Sequence, residues 1–327
     1  MKKKDTALLI GGTVTGMGLV VNALALACIK ENFVRKTRKI KPGTIESVDE
    51  MHIDYLRRKS LDWIKTQRTE ILEIESRDGL RLCGEYVHNS VNDGIENEPV
   101  KVVILSHGYG GTGYKDMLVF TDFYRKQGYD CLLIDQRSHG KSEGSAITFG
   151  ALEKEDMIRW VREVIELHKG NCKIMIHGWS MGAAIGYLAA AEGLPYQVKG
   201  LVYDCGYSVA EAQFLHIAKN TISLPTTLLW YILQFMKPWC KLLCGFDMCD
   251  ASPLFVARNM KLPIFFVHGT TDSCVPVWMG KKLYKATDRA VYRDMLLVPG
   301  AEHTYSYIHD KNGYEEGVLK LMDACMN

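Results

Sequence analysis

The sequence predicts an α/β protein whose sheet is mostly parallel and has about eight strands. Six short, almost wholly apolar runs end in turns, and helix-like segments separate several of them. Strands that are buried on both faces of a parallel sheet have this composition. An apolar, aromatic stretch interrupts the alternation late in the chain, and an uncharged stretch comes before it begins. These two stretches predict an inserted helical cap and an N-terminal membrane helix.

The composition is that of one large globular domain. The chain has 327 residues, of which 47% are apolar, and its net charge is +2. This balance gives no reason to expect a nucleic-acid partner, because such proteins usually carry a strongly basic surface. The ten cysteines form no evident disulfide framework. Cys240, Cys244 and Cys249 lack the spacing of a zinc site and are interpreted as small buried residues.

The N-terminal stretch from Thr6 to Ile29 carries no charge and follows three lysines. A helix of this length reaches roughly 36 Å, which exceeds the bilayer core of about 30 Å. We interpret residues 6–29 as an uncleaved single-pass anchor in the cell membrane, with a secretion signal as the alternative. Residues 1–41 are then the anchor and its basic flank, and residues 42–327 are the globular domain.

The membrane side of that domain stays open. Six basic residues between positions 30 and 41 favour a cytoplasmic domain by the positive-inside rule. The same run could instead contact anionic lipid headgroups. Because the anchor contributes no catalytic group, a shortened chain that starts near Pro42 is expected to keep its activity.

The elements after the anchor follow in a regular order. Residues 45–68 have the pattern of an amphipathic helix. Thr69–Ser76 and Leu80–Val87 flank Arg77-Asp78-Gly79, which favours a β-hairpin. Helices are predicted at Leu152–His168 and Met181–Glu192. The six apolar runs predict parallel strands at Val100–Leu105, Asp130–Ile134, Cys172–Ile176, Val198–Tyr203, Pro263–Val267 and Met295–Val298.

The alternation of strands and helices stops between Tyr207 and Pro253. This segment is apolar and aromatic, but it is too short and too broken by Pro225 and Pro238 for a clear membrane span. We interpret residues 208–253 as a helical cap above the sheet. Its aromatic side chains are expected to give an apolar wall for a substrate, among them Trp230, Tyr231, Phe235 and Trp239.

The run Gly178-Trp179-Ser180-Met181-Gly182 directly follows the predicted strand Cys172–Ile176. A serine hydroxyl is a poor nucleophile unless it is exposed and lies beside a base. A sharp turn from strand to helix exposes it, and glycines on both sides leave room for the strained backbone. The motif therefore predicts that Ser180 is a catalytic nucleophile.

Two further residues complete a candidate triad. Asp272 follows the strand Pro263–Val267, and His303 follows the strand that ends at Val298. In a parallel sheet these strand ends lie at the same edge as Ser180. We predict that His303 is the base and that Asp272 is the acid that orients it. Asp204, which follows another strand, is the alternative acid.

An oxyanion needs two hydrogen-bond donors. The N–H of Met181 is one candidate, and the N–H of Tyr109, in the loop after Val100–Leu105, is the other. His107 and His268 are interpreted as residues that hold loops by hydrogen bonds. Asp135 is expected to brace the turn from Arg137 to Gly144.

Taken together, five motifs resemble those of the α/β-hydrolase superfamily. They are His107-Gly-Tyr-Gly-Gly, Asp135-Gln-Arg-Ser-His-Gly-Lys-Ser-Glu-Gly, Gly178-Trp-Ser-Met-Gly, His268-Gly-Thr-Thr-Asp272 and Ala301-Glu-His303. The resemblance covers residues 68–325. It is closest to bacterial membrane-anchored members related to the monoacylglycerol-lipase, cinnamoyl-esterase and serine-aminopeptidase groups.

This resemblance implies the α/β-hydrolase fold and a serine hydrolase that cleaves carboxylic esters or thioesters through an acyl-enzyme. It implies neither a cofactor nor a metal. The expected partners are a small-molecule ester with an apolar acyl or aryl group and, through residues 6–29, a lipid membrane. The resemblance does not identify the natural substrate.

Other functions stay open. A serine peptidase or amidase would have the same fold. Gly108, Gly110 and Gly113 match a dinucleotide-binding pattern after a strand, with Asp135 ending the next strand. That reading leaves Ser180, Asp272 and His303 without a role. A tethered binding module with a vestigial triad is a third alternative.

Overall fold

The computed structural model describes residues 21–35, 48–92 and 98–326. These residues contain eight strands, numbered β1 to β8 in chain order: Thr69–Glu75, Arg81–Val87, Val100–Ser106, Tyr129–Ile134, Cys172–Trp179, Val198–Asp204, Ile264–Gly269 and Arg293–Val298. All eight form one sheet in the order β1-β2-β4-β3-β5-β6-β7-β8. Strand β2 is antiparallel to β1 and β4, and every other neighbouring pair is parallel. The predicted eight-stranded, mostly parallel sheet is confirmed.

The burial of the strands explains why their positions could be predicted from the sequence. Every residue of β4 and β7 is buried, whereas β1, at the edge of the sheet, buries only two of its seven residues. Strands that are covered on both faces must be apolar along their whole length. Strand β1 instead alternates between buried and exposed positions, since solvent reaches one of its faces.

Helices cover both faces of this sheet. In chain order they are α1 at 21–32, α2 Val48–Ile64, α3 Leu118–Lys126, α4 Glu153–Leu167, α5 Met181–Glu192, α6 Ala210–Thr221, α7 Thr226–Trp239, α8 Val277–Ala286, α9 Ser306–His309 and α10 Lys311–Met326. Residues of α4, α5 and α8 pack with Val102 and Ile104 of β3 on one face. Residues of α2, α3 and α10 pack with Val103 and Leu105 on the other face.

Helices α6 and α7 are inserted between β6 and β7, within the segment 208–253. The inward face of α7 carries Leu229, Ile232, Leu233 and Met236, all buried. This spacing of three, four and seven residues defines one helical face. Cys240 and Cys244 are buried in a helical turn that follows α7, as expected, whereas Cys249 is exposed.

The structure corrects the prediction of an N-terminal membrane helix. Residues 6–20 of the predicted anchor lie outside the described residues, and residues 21–32 form α1. Within the described part of the chain, no helix has the length and apolar character needed to cross a bilayer. This finding overturns the predicted single-pass membrane location and leaves the predicted lipid partner without support. The apolar residues of α1 have another role, because Val21, Ala25 and Ile29 are buried in the core of the domain.

Candidate active site

Ser180 occupies the sharp turn between β5, which ends at Trp179, and α5, which begins at Met181. Its backbone has φ 56° and ψ −115°, in a region that L-residues seldom adopt. A side chain at Gly178 would collide with the carbonyl oxygen of Gly182, and one at Gly182 with that of Ser106. Both obstacles are backbone atoms, so glycine is required at both positions for the turn to form.

The three residues predicted for acyl transfer lie together. His303 Nε2 is 2.9 Å from Ser180 Oγ, and His303 Nδ1 is 2.7 Å from Asp272 Oδ2. The carboxyl group of Asp272 is buried, while the side chain of His303 is one-fifth exposed. The arrangement gives a hydroxyl, a base and an acid in one continuous hydrogen-bonded chain.

The loops that carry Asp272 and His303 are tied to each other. Thr271 N–H donates to the carbonyl of Ala301 at 3.2 Å, and the N–H and hydroxyl of Ser273 both donate to Glu302 Oε2. A side chain at Gly269, at the end of β7, would strike the Ala301 carbonyl. This close approach of β7 to the loop after β8 sets the spacing between acid and base.

Electrostatics keep Asp272 ionised. Burial disfavours its charged form, but hydrogen bonds from His268 and His303 and from the backbone of Val275 outweigh burial and lower the pKa to about 2. Its Oδ1 accepts the N–H groups of Cys274 and Val275 at 3.0 and 2.7 Å. A fixed negative charge therefore faces His303 Nδ1 at neutral pH.

Asp204, the alternative acid, lies one strand away at the end of β6. Its Oδ2 accepts a hydrogen bond from the Tyr314 hydroxyl at 2.9 Å, and that hydroxyl also lies 2.9 Å from His177 Nε2. Burial raises the pKa of Asp204 to about 6. Because His303 is bonded to Asp272, the geometry favours Asp272 as the acid.

The loop after β3 approaches Ser180 closely. A Cβ at Gly108 would lie 3.4 Å from Ser180 Cβ, and the next residue is Tyr109. Met181 is the first residue of α5, where N–H groups point out of the helix. Both predicted oxyanion donors thus lie beside the hydroxyl, and their role stays a prediction.

Two neutral histidines hold this loop. His107 Nε2 accepts the N–H of Gln136 at 3.0 Å, and His139 Nε2 accepts the N–H of Gly110 at 3.1 Å. Burial lowers the pKa of His107 to about 3 and also lowers the pKa of His139. Only a neutral imidazole can accept a hydrogen bond, so these shifts keep the loop in place at neutral pH.

The glycines of the dinucleotide-like pattern are engaged within the protein. Gly113 N–H donates to Asp135 Oδ1 at 3.0 Å, and the Gly110 N–H is bonded to His139 as described. Asp135 Oδ2 accepts the N–H of Lys141 at 2.8 Å, so it braces the following turn as expected. Phosphate binding would need these amides to turn toward the ligand, which argues against the dinucleotide alternative.

An apolar pocket of about 200 Å³ opens beside Ser180. The cap contributes aliphatic residues of α7, with Leu229, Ile232, Leu233 and Met236 among them. Three residues of the predicted aromatic wall do not line the pocket. Trp230, Tyr231 and Phe235 are instead 47%, 55% and 37% exposed. They lie on the opposite face of α7 from the pocket, because they fall between the inward positions of the helix.

A polar groove reaches Ser180 from the other side. His303 lines it together with charged residues of α2 and of the turn before α3: Glu50, Asp54, Arg57, Lys115 and Asp116. Arg57 and Asp116 lie 3.8 Å apart. Ser180 therefore stands at the junction of an apolar pocket and a polar groove.

Cys205, Asp272 and His303 are the described side chains close enough to one another to bind a metal, with ligand atoms within 4.8 Å. Asp272 and His303 are hydrogen-bonded to each other, and burial raises the pKa of the Cys205 thiol. These groups therefore fit a hydrogen-bonded site better than a set of metal ligands.

Two residues near the site escaped the sequence analysis. Cys28 and Asn32 of α1 line the apolar pocket. Both lie in or next to the uncharged stretch 6–29. The absence of charges from this stretch makes it hard to tell which face of the helix is buried. The signal that could have found them is the spacing of Val21, Ala25 and Ile29, which marks one buried face of a helix.

Comparisons with known proteins agree with this fold. A family model described as alpha/beta hydrolase fold matches residues 101–222. An uncharacterised protein of Bacillus subtilis, YqkD, is 27% identical over 227 residues, which cover 68% of this chain and 70% of that protein.

Solved structures show the same fold. The Pyrococcus furiosus esterase Pf2001 superposes with a TM-score of 0.65 and 21% identity, over 90% of this chain and 99% of that one. The Penicillium alpha/beta hydrolase GrgF gives a TM-score of 0.57 and 16% identity, over 80% of this chain and 100% of that one.

Proposed function

We propose that this chain, which has the α/β-hydrolase fold and matches the model of that fold over residues 101–222, is a serine hydrolase that cleaves carboxylic esters. The observation that carries this proposal is the hydrogen-bonded chain from Ser180 Oγ through His303 to Asp272, at 2.9 and 2.7 Å. The strained turn at Ser180 adds support, since it exposes the hydroxyl next to its base.

The first step is acylation of Ser180. The Oγ attacks the ester carbonyl while His303 Nε2 accepts its proton, and Asp272 stabilises the charged imidazole. The negative charge that develops on the carbonyl oxygen is bound by the N–H groups of Tyr109 and Met181. Collapse of this intermediate breaks the bond to the alcohol, which takes the proton from His303.

The second step is hydrolysis of the acyl-enzyme. Water takes the place of the alcohol, and His303 removes its proton as the oxygen attacks the acyl carbonyl. The same two N–H groups bind the second oxyanion. When the bond to Ser180 Oγ breaks, His303 returns a proton to the serine and the carboxylic acid leaves.

The two spaces around Ser180 suggest how the substrate lies. The leaving alcohol receives its proton from His303, and His303 lines the polar groove, so the alcohol belongs there. The acyl chain then enters the apolar pocket. We therefore propose an ester of a medium-length apolar acid with a polar alcohol, and each buried methylene should add about 0.8 kcal/mol to binding.

The nucleophile is tested by Ser180→Ala. We expect kcat to fall by roughly 10⁴–10⁶-fold while the fold is kept, since one member of the triad is lost. A fluorophosphonate probe should label the wild-type chain at Ser180, as read by mass spectrometry of the peptides. Full activity in the variant, or labelling at another residue, would disprove the assignment.

The substrate class is tested by a panel of p-nitrophenyl esters of increasing acyl length, with a thioester and an aminoacyl anilide alongside. We expect the kcat/KM of a medium acyl chain to exceed that of acetate until the pocket is full. A preference for the anilide would instead identify a peptidase or amidase.

A further inference from the structure

Helix α1 lies against the apolar pocket beside Ser180. Cys28 and Asn32, one helical turn apart, both contribute to its lining. We propose that α1 is the wall that limits the length of the acyl chain and that Cys28 is the limiting residue on this wall. This inference rests on the proposed ester hydrolysis and names the element that sets its specificity.

The packing of α1 makes it a fixed wall. Val21, Ala25 and Ile29 repeat every four residues and are buried in the same core cluster as strands of the sheet. Phe33, which directly follows the helix, is fully buried. Its ring centroid lies 5.2 Å from that of Phe149 and 5.0 Å from that of Phe214. Phe149 and Phe214 line the pocket themselves, so α1 and the pocket share one core.

Hydrogen bonds secure the described part of α1 on both sides. Near the first described residue, Trp239 Nε1 of the cap donates to Asn22 Oδ1 at 3.0 Å. After its end, Arg35 N–H donates to the Ser145 carbonyl, and Ile147 N–H donates to the Phe33 carbonyl. The Arg35 guanidinium also reaches the carbonyls of Ser142 and Gly140 at 2.7 and 2.9 Å. A helix held in this way can oppose a growing acyl chain without moving away.

The same helix touches the oxyanion loop. The hydroxyl of Tyr109 donates to the backbone carbonyl of Asn32 at 3.0 Å, and its ring stacks on Phe149 with centroids 5.4 Å apart. Tyr109 lines both the pocket and the polar groove. The wall is therefore joined, through the far end of the Tyr109 side chain, to the residue whose N–H is proposed to bind the oxyanion.

Substitutions of Cys28 test this wall in the full-length chain. Cys28→Phe fills part of the pocket, so kcat/KM should fall more for long acyl chains than for acetate, and the preferred acyl chain should become shorter. If the ring takes the space of two methylenes, kcat/KM for the longest good substrate should fall roughly 15-fold, because each methylene contributes about fourfold. Cys28→Ala should shift the preference toward longer chains.

Ala27→Phe is the matched control, because Ala27 is on the same helix but exposed. It should leave the dependence on chain length unchanged. A profile for Cys28→Phe that matches the wild type would overturn the proposal. Equal losses of kcat/KM for acetate esters and long-chain esters in a folded Cys28→Phe protein would also overturn it. Such a result would mean that α1 only supports the fold.

A binding measurement separates this inference from the proposed reaction. The affinity of decanoate and of butyrate is measured by calorimetry in the Ser180→Ala protein, with and without Cys28→Phe. Decanoate affinity should fall at least tenfold with Cys28→Phe, and butyrate affinity should change little. An unchanged decanoate affinity would overturn the role of α1. A wild-type protein that binds decanoate but cleaves no ester would refute the proposed reaction and leave the wall in place.

Discussion

Two buried carboxyl groups near Ser180 show how the environment of a residue decides its role. Asp272 accepts several hydrogen bonds, and these lower its pKa to about 2 in spite of burial. Asp204 receives fewer such bonds, and burial raises its pKa to about 6. A group that orients an imidazolium must stay charged, and Asp272 does so over a wider pH range than Asp204 besides being bonded to His303.

The assignment of the acid is tested by two parallel variants. Asp272→Asn should lower kcat on the order of 10⁴-fold, because an amide favours the wrong imidazole tautomer. Asp204→Asn should cost far less, since Asp204 bonds to Tyr314 while His303 bonds to Asp272. Steady-state kinetics with one ester suffices, and a reversal of the two results would make Asp204 the acid.

Asp204 also predicts a pH dependence of stability. Its folded pKa of about 6 lies above the ordinary value of 3.8, so its contribution to stability declines as the pH rises from 3.8 through 6. The Asp204→Asn protein lacks this contribution. Relative to the wild type, the variant should therefore gain roughly 1.4 kcal/mol in unfolding free energy between about pH 5 and pH 8.

Urea unfolding at the two pH values measures that difference. Asp272→Asn is the control, because the pKa of Asp272 is lowered rather than raised. It should gain nothing relative to the wild type over the same interval. A constant difference between the Asp204→Asn protein and the wild type would show that Asp204 ionises normally in the folded chain.

At this scale the sequence predicted much of the candidate site. Ser180, Asp272 and His303 each follow a parallel strand, and a parallel sheet brings such positions to one edge. The surroundings were harder to predict, because contacts such as that between His268 and Asp272, at 3.4 Å, depend on how a loop folds back. Cys28 was missed because its distance from Ser180 along the chain gives no sign of their proximity.

At the scale of elements, α7 shows why an apolar segment does not reveal its own inward face. Both of its faces carry large apolar residues, so the sequence could not say which one meets the pocket. In the structure the buried aliphatic residues point inward, and Trp230, Tyr231 and Phe235 are exposed. Trp239, the fourth residue of the predicted wall, is half-buried and bonds to Asn22. The strands were easier to predict. A strand that is covered on both faces is apolar along its whole length, so its position can be predicted without deciding which face points inward.

Substitutions on the two faces of α7 should have different effects on the preference for acyl-chain length. Ile232→Ala should enlarge the pocket, since Ile232 is buried and lines it, and should shift the preferred ester toward longer acyl chains. Acetate turnover should be nearly unchanged. Trp230→Ala, at an exposed position of the same helix, should leave the chain-length profile as it is, and a shift with Trp230→Ala alone would favour the aromatic wall.

At the scale of the whole molecule, the N-terminal helix is part of the core of the domain. The sequence pattern separates residues 1–41 from the domain, and that boundary falls within residues 36–47, outside the described residues. The described residues on its N-terminal side nevertheless pack against strands, cap and loops of the domain. A stretch without charged residues fits a membrane span and a buried helix equally well, so composition could not distinguish them.

This packing predicts how the whole molecule responds to loss of Phe33. The ring is fully buried and lies near those of Phe149, Phe214 and Phe246. Phe33→Ala should lower the unfolding free energy by about 3–5 kcal/mol, because it leaves a cavity among three aromatic rings. Leu24→Ala, at a position of α1 that is 40% exposed, should cost far less.

The sequence alone led us to expect that a chain starting near Pro42 keeps its activity, but the packing of α1 changes that expectation. This chain loses the whole of α1 and should be less stable than the Phe33→Ala protein. It would expose the aromatic cluster and one side of the apolar pocket, so we expect a lower Tm, aggregation and loss of the preference for longer acyl chains. Thermal unfolding and the ester panel, applied to the three proteins in parallel, measure these effects. If the shortened chain matched the full chain in Tm and in chain-length profile, α1 would be dispensable, and both its place in the core and its role as the pocket wall would be wrong.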